Sequence, residues 1–406
     1  MKEYKLIFSI YLSILFVFIV FFLSAVHNSP VNNSMHEWVI NYQGGFTRRG
    51  FLGEIVFQIT QLFNFQLKKG FLILQILLYA GYFYSIYVFF KKIKFNYFFA
   101  LAIFSPLFFV FSLAELEALG RKDILMFLVF INNFLIYSKF KNINFNYIYF
   151  IITFPIVFLT HEIYLTYTVY ILAFFLIVEK KLNLIFLIKF IITILIIIFF
   201  IDLILSNNFS KKEVDLLCEN LKIKSNIECG LAPTSMSASL ADYQGEVGWQ
   251  TTHIVRYILI FLFGFTGLLI FLIFSKINLE KTNKFISLFN LKAGFIILMI
   301  PSILPFIAAV DSGRYMSMAY TFPCIFYFGL LKSDVINFNY EKANYFIENS
   351  ILKLNKYKFI ILFLLCFSWT PKAVYHEDIG SFPLYRTLVK TTNFIDNFKN
   401  FKSGQL

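Results

Sequence analysis

The 406-residue chain has little charge: 15% of its residues are Asp, Glu, Lys or Arg, whereas 59% are hydrophobic. Its apolar runs repeatedly reach the roughly 20 residues that cross the hydrocarbon core of a bilayer. This composition excludes an ordinary soluble domain. The runs are continuous rather than alternating, which excludes a transmembrane barrel, and lipid then leaves only helices. The sequence therefore predicts an all-α, polytopic membrane helical bundle that forms a single domain over residues 1–406.

Eleven apolar runs predict the transmembrane helices. The first follows Lys2 and Lys5 and exceeds the roughly 7 to 15 apolar residues of a cleaved signal peptide, so we expect it to be retained as a helix. Lysines cluster in alternate connections, which predicts a cytoplasmic N-terminus by the positive-inside rule. Two long connections, 27–70 and 207–255, then lie outside. The expected spans are residues 6–26, 71–90, 97–113, 123–138, 147–163, 164–179, 183–206, 256–275, 286–309, 315–331 and 358–373.

Arginine, histidine and tryptophan are scarce, with six, five and three copies. In the predicted topology all of them lie in the outer connections, while lysine is the only basic residue of the inner connections. The positive-inside rule does not explain why all the arginines lie in the outer connections. We therefore expect an anionic ligand at the outer face. The net charge of +13 comes largely from the lysine-bearing connections, so we expect no nucleic-acid binding. The arginines are Arg48, Arg49, Arg121, Arg256, Arg314 and Arg386.

The stretch GGFTRRGFLGE (residues 44–54) follows the first predicted span. Its glycines allow the backbone to turn closely around a ligand. Arg48 and Arg49 precede apolar residues at helical spacing, which predicts a short interfacial helix whose start favours an anion. A guanidinium is planar and can donate two parallel hydrogen bonds to a phosphate. The alternative is that both arginines contact only lipid headgroups.

A second charged stretch, ELEALGRKD, joins the third and fourth predicted spans. Gly120 before Arg121 and Lys122 predicts a tight anion site. The alternative is an internally neutralised cap, in which these cations pair with Glu115, Glu117 and Asp123.

Two further motifs place ionisable groups at span ends, where they are costly and indicate function. In FLTHEIYL, His161 beside Glu162 can act as a general base, or the pair can form a helix cap. No second histidine follows four residues later, so we expect no metal site. In DSGRY, Asp311 and Arg314 form a simple ion pair, or Arg314 binds phosphate while Asp311 orients it.

The outer connection 207–255 is the longest, and loops of this length are usually lids or disordered segments. Cys218 and Cys229 lie in it and can form a disulfide if the compartment is oxidising. Tyr243 and Trp249, with Glu246 and His253 nearby, can form an aromatic platform for a carbohydrate.

The many spans, the enlarged outer loop and the strings GGFTRRGFLGE and DSGRY resemble Wzy-type polymerases of bacterial surface polysaccharides such as O-antigen and capsule. More broadly, they resemble polyprenyl-lipid-dependent glycosyltransferases of the GT-C class. The likeness in architecture covers nearly the whole chain, whereas the matching short motifs are few and have low specificity. Typical GT-C enzymes carry an aspartate after the first helix. This chain has none there, so Glu37 or Glu54 would have to substitute.

The resemblance implies an enzyme of the bacterial inner membrane whose active face is periplasmic. It would polymerise undecaprenyl-pyrophosphate-linked oligosaccharide units without a cofactor or metal, beside membrane lipids, a flippase and a chain-length regulator. The residues expected to bind the pyrophosphate are Arg48, Arg49, Arg121, Lys122 and Arg314. The candidate catalytic groups are His161, Glu162, Asp311 and Glu54.

Two other functions remain open from the sequence. One is a GT-C monosaccharide transferase or a glycan ligase that uses a polyprenyl-phosphate donor. The other is a non-enzymatic transporter or flippase of lipid-linked glycans. Transporters hold their binding groups near the midplane on broken helices. Asp202 and Lys189, within one predicted span, keep the transporter hypothesis open.

Overall fold

A computed structural model describes residues 2–28, 33–93, 95–179, 181–207, 209–237, 251–278, 280–282, 290–308, 311–349 and 354–372. This part of the chain is helical apart from one two-stranded antiparallel sheet of β1 (Ser275–Ile277) and β2 (Ile336–Phe338), in which Lys276 pairs with Asn337. Two 3-10 helices cover Ser235–Ser237 and Ile300–Ile303. In chain order the α-helices are α1 (Lys2–Asn28), α2 (Asn33–Trp38), α3 (Phe51–Leu62), α4 (Leu67–Phe90), α5 (Tyr97–Ile103), α6 (Phe111–Ala114), α7 (Leu116–Leu119), α8 (Asp123–Phe140), α9 (Ile143–Phe158), α10 (Tyr164–Val178), α11 (Leu184–Leu205), α12 (Lys211–Ser225), α13 (Leu231–Thr234), α14 (Thr251–Gly264), α15 (Thr266–Ile273), α16 (Leu291–Met299), α17 (Leu304–Ala308), α18 (Ser312–Lys332), α19 (Tyr340–Glu348) and α20 (Leu354–Phe367).

Four of the described helices are long and apolar enough to cross a membrane: α1, α4, α8 and α11. Shorter apolar helices, including α9 and α10, accompany them. The outward faces of α1 and α11 carry exposed isoleucine and leucine side chains. Such faces are costly in water and favourable in lipid, so the chain is a membrane protein with a helical fold.

Three predicted spans are not continuous helices. The run 97–113 ends its first helix at Ile103 and turns before Phe111, because Pro106 in between cannot donate a backbone hydrogen bond. The run 256–275 is divided into α14 and α15. In the run 286–309, the 3-10 helix that contains Pro301 separates α16 from α17. Hydropathy alone predicted these runs as unbroken, since it does not register such local turns.

Helix α18 lies at the centre of the bundle, and every residue from Ser312 to Leu330 is buried. Aromatic rings pack around it: Phe322 stacks on Tyr167 with ring centroids 4.0 Å apart and meets Phe130 edge-on at 4.8 Å. Its 21 residues span about 30 Å, because an α-helix rises 1.5 Å per residue. Its two ends therefore lie about one bilayer core apart.

The two ends of α18 differ in chemistry. At the C-terminal end, the Lys332 amine donates to the carbonyl oxygens of Val88 and Phe89 at 3.2 and 2.8 Å, and so caps α4. At the N-terminal end stand Asp311 and Arg314. The acidic and arginine-bearing connections gather at this second end.

Helix α3 is amphipathic. Gly53, Val56 and Phe57 face inward, whereas Ile59 and Leu62 are exposed. The exposed apolar side is what the interfacial-helix prediction requires.

Helix α12 covers the loop that precedes α3. Asn220 donates to the Gln43 carbonyl at 3.0 Å, and the Lys224 amine donates to Gln43 Oε1 at 2.9 Å. A disulfide joins Cys218 on α12 to Cys229, with their Cα atoms 5.2 Å apart. The chain then packs Gly230 against the ring of His36 on α2. Helix α12 and the residues that follow the disulfide thus contact both α2 and the loop that precedes α3.

Candidate functional site

Charged side chains from four connections meet where α18 begins. We call this group the charged cluster. It comprises Glu37 on α2, Arg48 and Arg49 before α3, Arg121, Lys122 and Asp123 at the start of α8, His161 and Glu162 between α9 and α10, and Asp311 and Arg314 at the start of α18.

Three contacts hold the connections in place around the cluster. The Trp38 indole donates to the Gly120 carbonyl at 2.5 Å, which fixes α2 against the turn before α8. The Tyr79 hydroxyl of α4 donates to the Leu119 carbonyl at 2.8 Å. The Phe51 amide at the start of α3 donates to the Leu159 carbonyl at 3.4 Å. The charged side chains are therefore carried by loops that are tied to the helices behind them.

Arg314 is buried and forms the centre of the cluster. Its Nε and Nη2 donate to the two carboxylate oxygens of Asp123 at 2.6 Å each, a two-pronged geometry that only a guanidinium provides. Its Nη1 donates to Asp311 Oδ2 at 2.9 Å. Asp123 also lies in the first turn of α8, where the helix dipole favours a carboxylate. The ion pair foreseen between Arg314 and Asp311 is present, but Asp123 is the stronger partner.

Glu37 is 3% exposed and pairs with Arg121, whose Nη1 donates to Glu37 Oε1 at 2.5 Å. Arg314 Nη1 lies 3.7 Å from the same oxygen. Burial would raise the pKa of Glu37, but the guanidinium groups of Arg121 and Arg314 hold it below its ordinary value. The second oxygen, Oε2, is buried and has no hydrogen-bond partner among the described residues. Glu37 is therefore ionised and retains an open acceptor.

Glu162 is the partner of Arg49. Arg49 Nη2 donates to Glu162 Oε1 at 2.6 Å, and Arg49 Nε donates to Oε2 at 2.8 Å. Arg48 Nη1 is farther from Oε1, at 3.8 Å, and its side chain is 35% exposed. Within the cluster, Arg48 is thus the most accessible guanidinium.

His161 is buried between Arg314 and Glu162. Its Nε2 is 3.0 Å from Arg314 Nη2, and because a guanidinium only donates, Nε2 must accept. The other ring nitrogen, Nδ1, accepts from the Ile163 amide at 3.4 Å and lies 3.7 Å from Glu162 Oε2. Burial, followed by the charge of Arg49, keeps the pKa of His161 well below its usual range. The basic nitrogen is therefore occupied, which weighs against His161 as a general base.

Lys122 is 0% exposed, and its amine donates to the Arg49 carbonyl oxygen at 2.7 Å. The amine also lies 5.9 Å from the centroid of the Trp38 ring. Among the described residues no carboxylate comes within 4 Å of it. Burial lowers the pKa of Lys122 to about 7. This amine titrates near neutrality, unlike an ordinary lysine.

Glu54, one of the candidate catalytic residues, lies outside the charged cluster. Its carboxylate accepts from the Tyr42 amide at 2.9 Å and from the Gln43 side chain at 2.9 Å. These bonds hold the glycine-rich loop onto α3. Glu54 therefore has a local structural role in the described arrangement.

The carbohydrate platform proposed for Tyr243 and Trp249 lies outside the described residues, as does Arg386. The described part contains no group of three His, Cys, Asp or Glu side chains arranged to hold a metal ion.

Sequence reasoning identified most members of the cluster but not how they pair. Asp123 was considered only as a charge that neutralises Arg121 and Lys122, yet it binds Arg314, 191 residues away. Glu37 was considered only as a replacement for a missing aspartate, yet it lies against Arg121 and Arg314. A single sequence contains no signal for such long-range pairs.

The chain matches no protein-family model, no curated protein and no solved structure.

Proposed function

We propose that the protein is a membrane glycosyltransferase that polymerises polyprenyl-pyrophosphate-linked oligosaccharides at the membrane face bearing the charged cluster. The observation that carries the proposal is Glu37: a buried, ionised carboxylate, flanked by guanidinium groups, with one oxygen that has no hydrogen-bond partner among the described residues. A glycosyl transfer onto a hydroxyl needs a proton acceptor beside cations that stabilise a phosphate leaving group.

In the proposed reaction a hydroxyl oxygen of one sugar attacks the anomeric carbon of the lipid-linked donor. The bond between that carbon and the pyrophosphate oxygen breaks, and its electron pair leaves with the pyrophosphate. The hydroxyl proton passes to Glu37 Oε2. Arg48 stabilises the developing charge, because its guanidinium is accessible and only loosely paired. Removal of one such donor typically costs about 2.7 to 4 kcal/mol of transition-state stabilisation.

The remaining arginines have a supporting role in this proposal. Arg314 is bound to Asp123 and Asp311, and Arg49 to Glu162. These carboxylates largely neutralise their charges. In this proposal the two arginines therefore hold the geometry around Glu37 and Arg48 and do not bind the phosphate. Of the earlier candidates for the base, His161 and Glu162 use their acceptor atoms within the cluster. This favours Glu37 over both.

The orientation of the protein is part of the same proposal. Lysines surround the C-terminal end of α18, where Lys332, Lys91 and Lys92 lie close enough to influence one another. With this end in the cytoplasm, the positive-inside rule puts the charged cluster on the periplasmic side of a bacterial inner membrane. Eleven spans with a cytoplasmic N-terminus satisfy that arrangement.

The transporter alternative receives less support. Asp202 is exposed on α11, and the Lys189 amine donates to the Asn144 side chain at 2.5 Å. Helix α11 lies at the edge of the bundle, and its apolar side faces outward. These two charges therefore do not form a site in the bundle interior.

The lipid-linked glycan profile of the host strain tests the proposal. Loss of the gene should abolish the ladder of repeat units and leave single lipid-linked units. Glu37→Gln should reproduce that loss at a normal membrane level of the protein, whereas Glu219→Gln, which alters an exposed carboxylate on α12, should preserve the ladder. A normal ladder in Glu37→Gln would remove the proposed base. A deletion strain that lacks only one sugar would instead indicate a monosaccharide transferase.

A further inference from the structure

Arg49 has an unusual backbone conformation. Its φ is +69°, in the left-handed region that residues other than glycine rarely occupy. Such a conformation is strained and persists only where the surroundings enforce it. The neighbouring Gly50, which could adopt it without strain, has a φ of −83°. The strain therefore falls on the arginine.

Two partners from different connections hold Arg49 in this conformation. Glu162 binds its side chain through two hydrogen bonds of 2.6 and 2.8 Å. Lys122 binds its backbone carbonyl at 2.7 Å. Lys122 makes no ion pair within 4 Å among the described residues, so its hydrogen bond to this carbonyl is its main polar contact.

Arg48 directly precedes Arg49 in the same loop. With Glu162 occupied by Arg49, Arg48 stays at 3.8 Å from the carboxylate and keeps 35% of its side chain exposed. We propose that Lys122 is a positioning residue: by holding the Arg49 carbonyl, it presents Arg48 to the pyrophosphate of a polyprenyl donor. This inference rests on the proposed function, whose phosphate-binding residue it concerns.

The charge of Lys122 is part of this role. The groups that face its amine are Glu37 and Trp38 on α2, Arg49 before α3, and Glu162 after α9. None of the carboxylates forms an ion pair with the amine, so its positive charge strengthens the hydrogen bond to the Arg49 carbonyl. Burial lowers the pKa of Lys122 to about 7. The ammonium is therefore present below that pH, and the neutral amine predominates above it.

The expected pH dependence has a definite sign. As the pH rises through about 7, Lys122 loses its proton, and the hydrogen bond that positions the loop of Arg48 loses its charge assistance. Anion affinity should fall. The pyrophosphate itself gains charge over the same range, which acts in the opposite direction. Lys122→Arg, which stays charged, provides the reference that cancels this second effect.

Binding of farnesyl pyrophosphate to the purified full-length protein in detergent tests the proposal by calorimetry. Lys122→Met should weaken binding by about tenfold, a loss typical of a charge-assisted hydrogen bond. Arg48→Ala should weaken it at least as much. In the Arg48→Ala background, Lys122→Met should add little, since Lys122 acts through Arg48. Lys212→Met on the exposed face of α12 is the matched control and should bind as the wild type does.

Two further comparisons distinguish the possible outcomes. The affinity ratio of wild type to Lys122→Arg should fall between pH 6 and pH 8. A parallel titration with inorganic pyrophosphate should give weaker binding than farnesyl pyrophosphate, and equal binding would overturn the assignment to a polyprenyl donor. The positioning role is wrong if Lys122→Met lowers only the melting temperature, or if its effect adds fully to that of Arg48→Ala. Such a result would leave the Glu37 test of the proposed function intact.

Discussion

Arginine and lysine are used differently at the level of single residues. At the lysine-bearing end, Lys332 binds two carbonyl oxygens as a compact charge. In the charged cluster, Arg314 engages both oxygens of Asp123 and a third oxygen on Asp311, which a lysine amine cannot reproduce with the same geometry. Arginine thus occurs where a planar, bidentate hydrogen-bond donor is needed. Four of the six scarce arginines lie together in the charged cluster, although their partners came only from the structure.

Asp123→Asn tests how strongly the centre of the cluster depends on compensated charge. The amide removes one negative charge and one acceptor from a buried guanidinium, so the protein should lose about 3 to 5 kcal/mol of unfolding free energy. Denaturant unfolding in detergent measures this loss.

The control for that measurement is Glu219→Gln, an exposed carboxylate on α12. It should change stability by no more than about 0.5 kcal/mol. Equal effects of the two substitutions would mean that Arg314 finds other partners or water when Asp123 is neutralised.

At the scale of elements, the sequence predicted long helices well and their interruptions poorly. Runs such as 71–90 and 183–206 correspond to α4 and α11 within a few residues, because length and apolarity decide them. The run 97–113 was predicted as continuous although it contains Pro106. The amphipathic spacing after Arg49 predicted α3, because a 3.6-residue period is a local property. The meeting of four connections at Arg314 depends on tertiary packing, which no local pattern contains.

The packing of α3 makes a prediction about its glycine. A methyl group at Gly53 would overlap the carbonyl oxygen of Ile40, so Gly53→Ala should force α3 away from the preceding segment and lower the melting temperature by several degrees. Thermal unfolding of the purified protein measures the shift.

Gly294→Ala is the matched comparison, because Gly294 also lies in a helix, and nothing lies within 4 Å of the added methyl group. This variant should be neutral or more stable by up to about 1 kcal/mol, since alanine favours helix. If both variants melt at the same temperature as the wild type, the contact between α3 and Ile40 is not close.

The disulfide between α12 and the segment before α13 can be tested by counting thiols. In the denatured, unreduced protein only Cys324 and Cys366 should react with a maleimide, and after reduction all four cysteines should react. Intact-protein mass spectrometry gives both numbers. Four labelled cysteines before reduction would contradict the disulfide. In the folded state Cys324 and Cys366 are buried and should react slowly.

For the whole molecule, the length of α18 fixes the relation between its two ends. Its 21 residues cover about 30 Å, so the charged cluster and Lys332 lie about one bilayer core apart, and the proposed orientation puts them on opposite sides of the membrane. A cysteine at Glu219 and one at Lys92, both exposed positions, mark the two sides.

A membrane-impermeant maleimide added to intact spheroplasts should label Glu219→Cys at once and Lys92→Cys only after permeabilisation. The wild type, with its disulfide and two buried thiols, serves as the background. Labelling of both variants in intact spheroplasts would place the two ends on one side and contradict the proposed orientation.

The distance along the chain between Arg314 and its partners has a consequence for synthesis. Asp123 leaves the ribosome 191 residues before the guanidinium that neutralises it. During that interval its carboxylate must remain hydrated at the membrane edge, because an unpaired charge cannot enter the hydrocarbon. The packing of α18 against α8 removes that restriction and allows the loops to close over the ion pairs. A nascent protein truncated before Arg314 should therefore keep this end open to water, so the site is completed late in assembly.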